Sequence, residues 1–134
     1  MAQFVTPRPA GSLRLLVAED EPHIRRILVT LLEAAGFQVD VARNGEEALE
    51  RLREEVRYDM VLTDLLMPET TGLELLEAIR GMPERRDTPV IVLTAKGQDT
   101  DRDRAFSLGA ADFITKPFSP KKLLNRVDQI LGQP

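Results

Sequence analysis

Short apolar runs alternate with longer segments of helical spacing from Leu13 almost to the end of the chain. The runs are Leu13–Ala18, Gln38–Ala42, Asp59–Thr63, Pro89–Thr94 and Ala111–Thr115. Val90, Ile91, Val92 and Leu93 follow one another without a polar residue. That run is apolar on both faces, as a strand inside a covered parallel sheet must be. The segments between the runs place apolar residues three or four positions apart. Ile24, Ile27, Leu28, Leu31, Leu32 and Ala35 make one such stripe, and Leu123, Leu124, Val127, Ile130 and Leu131 make another. Each stripe predicts the inward face of a helix.

The punctuation agrees with this division. Gly36 and Gly109 follow the first and fourth helical segments, where a chain often turns left-handed. Asn44 with Glu47, and Thr71 with Glu74, have the spacing of capping boxes. Ser119 before Pro120 sets a cap beside a first-turn proline, and Pro22 suits a first turn as well. Five strand–helix pairs in 134 residues predict one α/β domain, a doubly wound parallel sheet with helices on both faces. The pattern leaves strand order open. Residues 1–12, with Pro7 and Pro9 and no apolar signal core, read as a flexible leader; residues 13–132 read as the domain.

Composition narrows the chemistry. The chain has no cysteine, which excludes disulfides and thiolate metal sites, and its single histidine, His23, excludes a multi-histidine zinc site. Acidic residues outnumber basic ones by 22 to 18, unlike the basic footprint of a stand-alone nucleic-acid binder. No apolar run approaches the roughly 20 residues of a membrane span. A cytoplasmic protein that binds neither nucleic acid nor membrane directly is expected.

The polar residues then fall in a telling place. Glu19, Asp20 and Glu21 follow the first run, Asp64 follows the third, Thr94 ends the fourth and Lys116 lies just beyond the fifth. In an open parallel sheet the carboxyl ends of the strands line the ligand crevice. Alone, each residue has a bland reading: a solvated turn, a helix cap, a strand threonine, a loop lysine. Together they differ, because carboxylates crowded at one edge repel one another unless a cation sits among them. Oxygen donors without histidine or cysteine point to Mg²⁺, with Mn²⁺ as a substitute.

These residues resemble those of the receiver domains of two-component response regulators. The landmarks are Val17-Ala18-Glu19-Asp20-Glu21-Pro22, Leu62-Thr63-Asp64-Leu65-Leu66-Met67-Pro68 with Gly72, Val92-Leu93-Thr94-Ala95, and Phe113-Ile114-Thr115-Lys116-Pro117-Phe118. The resemblance spans Leu13 to about Leu131. It implies a flavodoxin-like fold of five strands in the order 2-1-3-4-5 with five helices. It implies that Asp64 accepts phosphate from a histidine on a histidine kinase or a histidine phosphotransfer protein. Asp20, Asp64 and the backbone carbonyl of Leu66 would then ligate the metal, and Glu19 would act through a metal-bound water. Lys116, Thr94 and Ala95 would contact the phosphoryl group, Thr94 and Phe113 would form the switch, and the bond before Pro117 would be cis.

The resemblance also implies a phosphoprotein that is not a turnover enzyme, either a regulator of one domain or the receiver of a longer protein. Glu19 stands where the family more often has aspartate, one methylene longer. Leu66 and Lys96, two residues beyond Asp64 and Thr94, are poorly suited to orient an attacking water, so a long-lived phosphorylated form is expected. The polar fourth helical segment, Gln98 to Leu108, suggests a dimerisation or docking surface shared with the fifth strand and fifth helix. Two other classes fit worse. A haloacid-dehalogenase phosphatase wants an acid where Leu66 stands, and a flavodoxin-like cofactor carrier wants a phosphate-cradling loop where Glu19-Asp20-Glu21 would repel phosphate.

Overall fold

Two strands of the chain, β3 (Met60–Asp64) and β4 (Val90–Thr94), are buried at every residue. They lie beside β1 (Arg14–Ala18) in the middle of a five-stranded sheet closed by β2 (Gln38–Ala42) and β5 (Asp112–Thr115). This is a computed structural model, and it describes residues 13–95 and 99–132. All pairings are parallel, in the order β2-β1-β3-β4-β5. The chain runs from β1 outward to β2, then returns across β1 to β3. At that reversal the connections leaving β1 and β3 lead to helices on opposite faces, which leaves a crevice between them.

The helices are α1 (Pro22–Ala34), α2 (Gly45–Leu52), α3 (Gly72–Arg80), α4 (Asp99–Ser107) and α5 (Pro120–Ile130). Alternation along the strands sorts the core into two layers. Leu15 and Val17 of β1 pack with Leu28 and Leu32 of α1 and Leu123 and Val127 of α5. Leu16 and Ala18 face the other way, toward Leu52 of α2, Leu75, Leu76 and Ile79 of α3, and Ala105 of α4. The stripe of α1 is narrower than its apolar residues suggest. Leu28 and Leu32 are buried, whereas Ile27 is exposed, because a helix resting on one layer hides only part of its circumference.

Helix starts follow their caps. Thr71 and Glu74 form a complete capping box at α3. At α2 the box is half made: Asn44 accepts from the Glu47 amide, but the Glu47 carboxylate turns to the amide and guanidinium of Arg43. Ser119 caps α5. Gly36 and Gly109 take φ of 95° and 91°, conformations that exclude most side chains. The third strand begins one residue later than its apolar run and extends through Asp64, which is therefore its last residue.

Two arginines fasten the rim of the α2–α3–α4 layer. Arg85 is buried, and its guanidinium donates to the carbonyls of Leu52 (3.0 Å) and Glu54 (2.7 Å) while lying over the Tyr58 ring. Leu52 closes α2, so its carbonyl has no partner within the helix. Arg80, at the end of α3, donates to the carbonyls of Arg86, Thr88 and Gly109, joining the α3–β4 and α4–β5 connections.

Gly72 matters most for the site. A Cβ there would lie 2.3 Å from the Asp64 carbonyl oxygen and 3.0 Å from the Leu65 Cα. Its amide donates to the Leu65 carbonyl at 2.8 Å. The first residue of α3 is thus pressed against the end of β3, and only hydrogen fits between them.

Arg85→Ala leaves buried carbonyls without a donor. It is expected to cost about 2–3 kcal/mol, read as a lower urea midpoint with an unchanged slope. Gly72→Ala is expected to cost about 1–3 kcal/mol by overpacking against backbone that has nowhere to go. A melting temperature equal to that of the unmodified chain would show instead that the β3–α3 loop yields freely.

Candidate functional site

β1 ends at Ala18, and the next residue leaves the sheet only gradually. The Glu19 amide still donates to the Ala42 carbonyl of β2 at 3.0 Å, and its own carbonyl accepts from Arg25 Nη1 at 2.9 Å. Glu21 then serves as the cap of α1, its carboxylate accepting from the amides of His23 and Ile24. Those bonds, led by the His23 amide, hold the Glu21 carboxyl below the usual range. Of three consecutive acids, the third is thereby committed to its own helix. Glu19 and Asp20 remain for the crevice.

Asp64 meets them from the end of β3. One carboxylate oxygen each from Glu19, Asp20 and Asp64 lies within 4.8 Å of the others. Glu19 is fully buried, Asp64 nearly so, and Asp20 half-buried at the mouth. Lys116 enters from beyond β5. Its Nζ stands 2.9 Å from Glu19 Oε1 and 3.4 Å from Asp64 Oδ2, and its side chain is 13% exposed. The Lys116 amide donates to the Thr94 carbonyl at 2.7 Å, which anchors that residue to the end of β4. The Lys116–Pro117 peptide bond is cis.

The electrostatics follow from crowding. Burial pushes the Glu19 carboxyl up to about 7; the Lys116 ammonium opposes the rise, and the charge of Asp64 adds to it. Burial by itself would lower the Lys116 ammonium, but its hydrogen bond to Glu19 and the charges of Glu19 and Asp64 outweigh that and raise it. The cluster thus carries more negative than positive charge in a confined space. Its donors are hard oxygens, at a spacing that one divalent cation can span. The residues present fit such an ion.

The other expected residues lie around this centre. Asp64 pairs with Leu93 in the sheet, so Thr94 sits one residue further along the neighbouring strand, fully buried. Ala95 is exposed just past it. Leu66, two residues beyond Asp64, is 57% exposed. Phe113 is half-buried in β5, packed against the layer that contains Ala105. Lys96 and the leader, residues 1–12, lie outside the described residues. The structure thus brings Glu19, Asp20, Asp64 and Lys116 into one cluster and ends β4 at Thr94 beside the end of β3. It leaves Ala95 and Leu66 exposed in the loops that follow those strands, and packs Phe113 against the α2–α3–α4 layer.

Three features went unread in the sequence. Glutamate is an uncommon cap, so Glu21 gave no signal beyond the proline that follows it. The double ion pair of Lys116 with Glu19 and Asp64, the first of them a contact across 97 residues, is not encoded by spacing. Arg25, six residues beyond Glu19, carried none at all.

Comparison with known proteins agrees with this geometry. Residues 15–128 match the response regulator receiver domain family. The chain is 43% identical over 118 residues to the transcriptional regulatory protein ResD of Bacillus subtilis, covering 88% of this chain and 48% of that protein. It is 42% identical over 120 residues to SrrA of Staphylococcus aureus, covering 90% and 48%. The chain thus spans about half the length of the curated relatives it matches. Among solved structures, the chemotaxis protein CheY4 of Vibrio cholerae superposes with a TM-score of 0.84 at 29% identity, over 90% of this chain and 99% of that one. A CheY-like receiver domain protein of Methanospirillum hungatei gives 0.85 at 28% identity, over 91% and 96%. Among the described residues, no helix is long and apolar enough to cross a membrane. The family match, the strand order and the acidic crevice agree, and the chain belongs to the response regulator receiver domains of two-component systems.

Proposed function

We propose that Asp64 accepts a phosphoryl group from a phosphohistidine on a histidine kinase or a histidine phosphotransfer protein, in the presence of Mg²⁺ or Mn²⁺. The observation that carries this reading is the convergence of Glu19, Asp20 and Asp64 with Lys116 at the crevice of the sheet. When bound, the divalent cation supplies positive charge against the anionic phosphoryl oxygens. Asp20, Asp64 and the Leu66 carbonyl would hold it directly, and Glu19 through water.

The chain's own residues do the rest. Transfer to an aspartate carboxylate moves no proton, so the step needs no general base. A carboxylate oxygen of Asp64 bonds to phosphorus as the bond from phosphorus to the histidine nitrogen breaks, and that nitrogen keeps the electron pair. Lys116 is the nearest described ammonium, and moving from Glu19 toward a phosphoryl oxygen lets it compensate the incoming charge. The Ala95 amide and the Thr94 hydroxyl would turn to the new acceptor oxygens. A shift of Thr94 opens space toward β5 that Phe113 can occupy, coupling the site to the face around α4.

The acceptor is written once and read by a partner, so the chain acts as a stoichiometric switch rather than a turnover enzyme. Its setting is the cytoplasm, where such kinases present their phosphohistidine. The exposed, apolar Leu66 offers nothing to orient water, which supports a phosphorylated state that outlasts seconds. The polar surface of α4, with β5 and α5, supports pairing of two phosphorylated chains.

Intact-mass measurement after incubation with a small phosphodonor and Mg²⁺ tests the central reading. The unmodified chain is expected to gain one phosphate and Asp64→Asn none; gain by both, or by neither, refutes it. Once the donor is removed, the same time course should show the adduct persisting, and its loss within seconds at neutral pH would rule out slow hydrolysis. Light scattering before and after phosphorylation checks pairing, and an unchanged mass at high concentration excludes it.

A further inference from the structure

We propose that Arg25 is a positioning residue that holds Glu19 and Asp20 in place for a divalent cation. The proposal rests on the reading of the acidic cluster as a cation site. Glu19 lies one residue beyond the last strand residue of β1, so its carbonyl has no strand partner to define it. Arg25 supplies that partner at 2.9 Å, reaching back from the first turns of α1. The amide of the same residue is held by Ala42, and its carboxylate by Lys116 and the Glu21 amide. Every polar group of Glu19 is therefore fixed, and Arg25 fixes the one that matters for its neighbour.

The Glu19 carbonyl and the Asp20 amide share one rigid peptide plane. Holding the carbonyl sets that plane, and with it the direction in which Asp20 leaves the backbone. Asp20 needs this help most. It is the half-buried member of the cluster, whereas Glu19 and Asp64 are locked by burial and by Lys116. The anchor is also firm, because α1 is itself tied to the loop by the Glu21 cap.

Charge alone predicts the opposite of this role. A guanidinium near a cation site repels the cation, so its removal by itself should tighten metal binding. A positioning role predicts weaker binding, as the loss of an outer hydrogen bond to a metal ligand commonly costs tenfold or more. The sign of the change therefore separates the two.

The test is calorimetric titration of the full chain with Mg²⁺ alone, comparing Arg25→Met, Arg25→Lys and Asp20→Asn, with the melting temperature of each recorded. Arg25→Met, which keeps the stem and loses the donor, is expected to bind about tenfold more weakly. Arg25→Lys retains a donor and should recover most of that loss. Binding by Arg25→Met equal to or tighter than that of the unmodified chain overturns the proposal, as does a loss in Arg25→Lys as large as in Arg25→Met. If Arg25→Met does not fold, Arg25→Ala, which also lacks a donor, takes its place with the same expected and overturning results. Asp20→Asn separates the two readings: undiminished Mg²⁺ binding by this variant refutes the cation site itself. Loss there, with Arg25→Met unchanged, refutes only the role of Arg25.

Discussion

Repulsion among carboxylates at one edge of the sheet is the constraint around which the rest of the structure is arranged. Three of them converge within 4.8 Å, two nearly or wholly buried, where water screens them poorly. Lys116 is the folded chain's own answer, bridging Glu19 and Asp64 from a loop that must reach across from the far edge. One ammonium does not neutralise three acids. The remaining imbalance suits the crevice to a further cation.

The surroundings of the crevice are rigid where the chemistry needs them to be. Gly72 lets α3 close directly on the Asp64 carbonyl, and the Leu65 amide donates to Leu93 at 2.8 Å. Glu21 turns away from the cluster to start α1. On the β4–β5 side the structure is looser. Of the described side chains of α4, Ala105 alone is buried, and Phe106 is exposed beneath the Arg102 guanidinium. Few buried contacts mean a low cost of displacement, the property expected of an element that reports a change rather than resists it. Arg80 links that region to α3 through the Gly109 carbonyl.

Much of this was legible in the residues. Short apolar runs located all five strands, because burial of both sheet faces leaves a mark on each residue. Capping signals marked the starts of α2, α3 and α5, and glycines marked the turns after α1 and α4. The acids and Lys116 were legible as a group because a parallel sheet sends every strand's carboxyl end to the same edge. What remained hidden was pairwise and long-range. Nothing in the order of residues says that Lys116 bonds Glu19, that the Glu47 carboxylate prefers Arg43 to its own cap, or that Arg25 reaches back six residues. Long polar side chains choose among several partners within reach, and only the assembled backbone decides between them. Ile27 shows the converse: an apolar residue with the right spacing stays exposed when its helix overhangs the layer beneath.

The 97-residue separation between Glu19 and Lys116 bears on synthesis as well as on shape. A ribosome releases the chain from its amino end, so the acids of the crevice emerge long before their ammonium partner. Until β5 joins the edge of the sheet, Glu19 and Asp64 lack that ammonium. A partly made chain therefore carries these acids without the ammonium that balances them. The charge balance of the crevice is complete only when the last strand is in place.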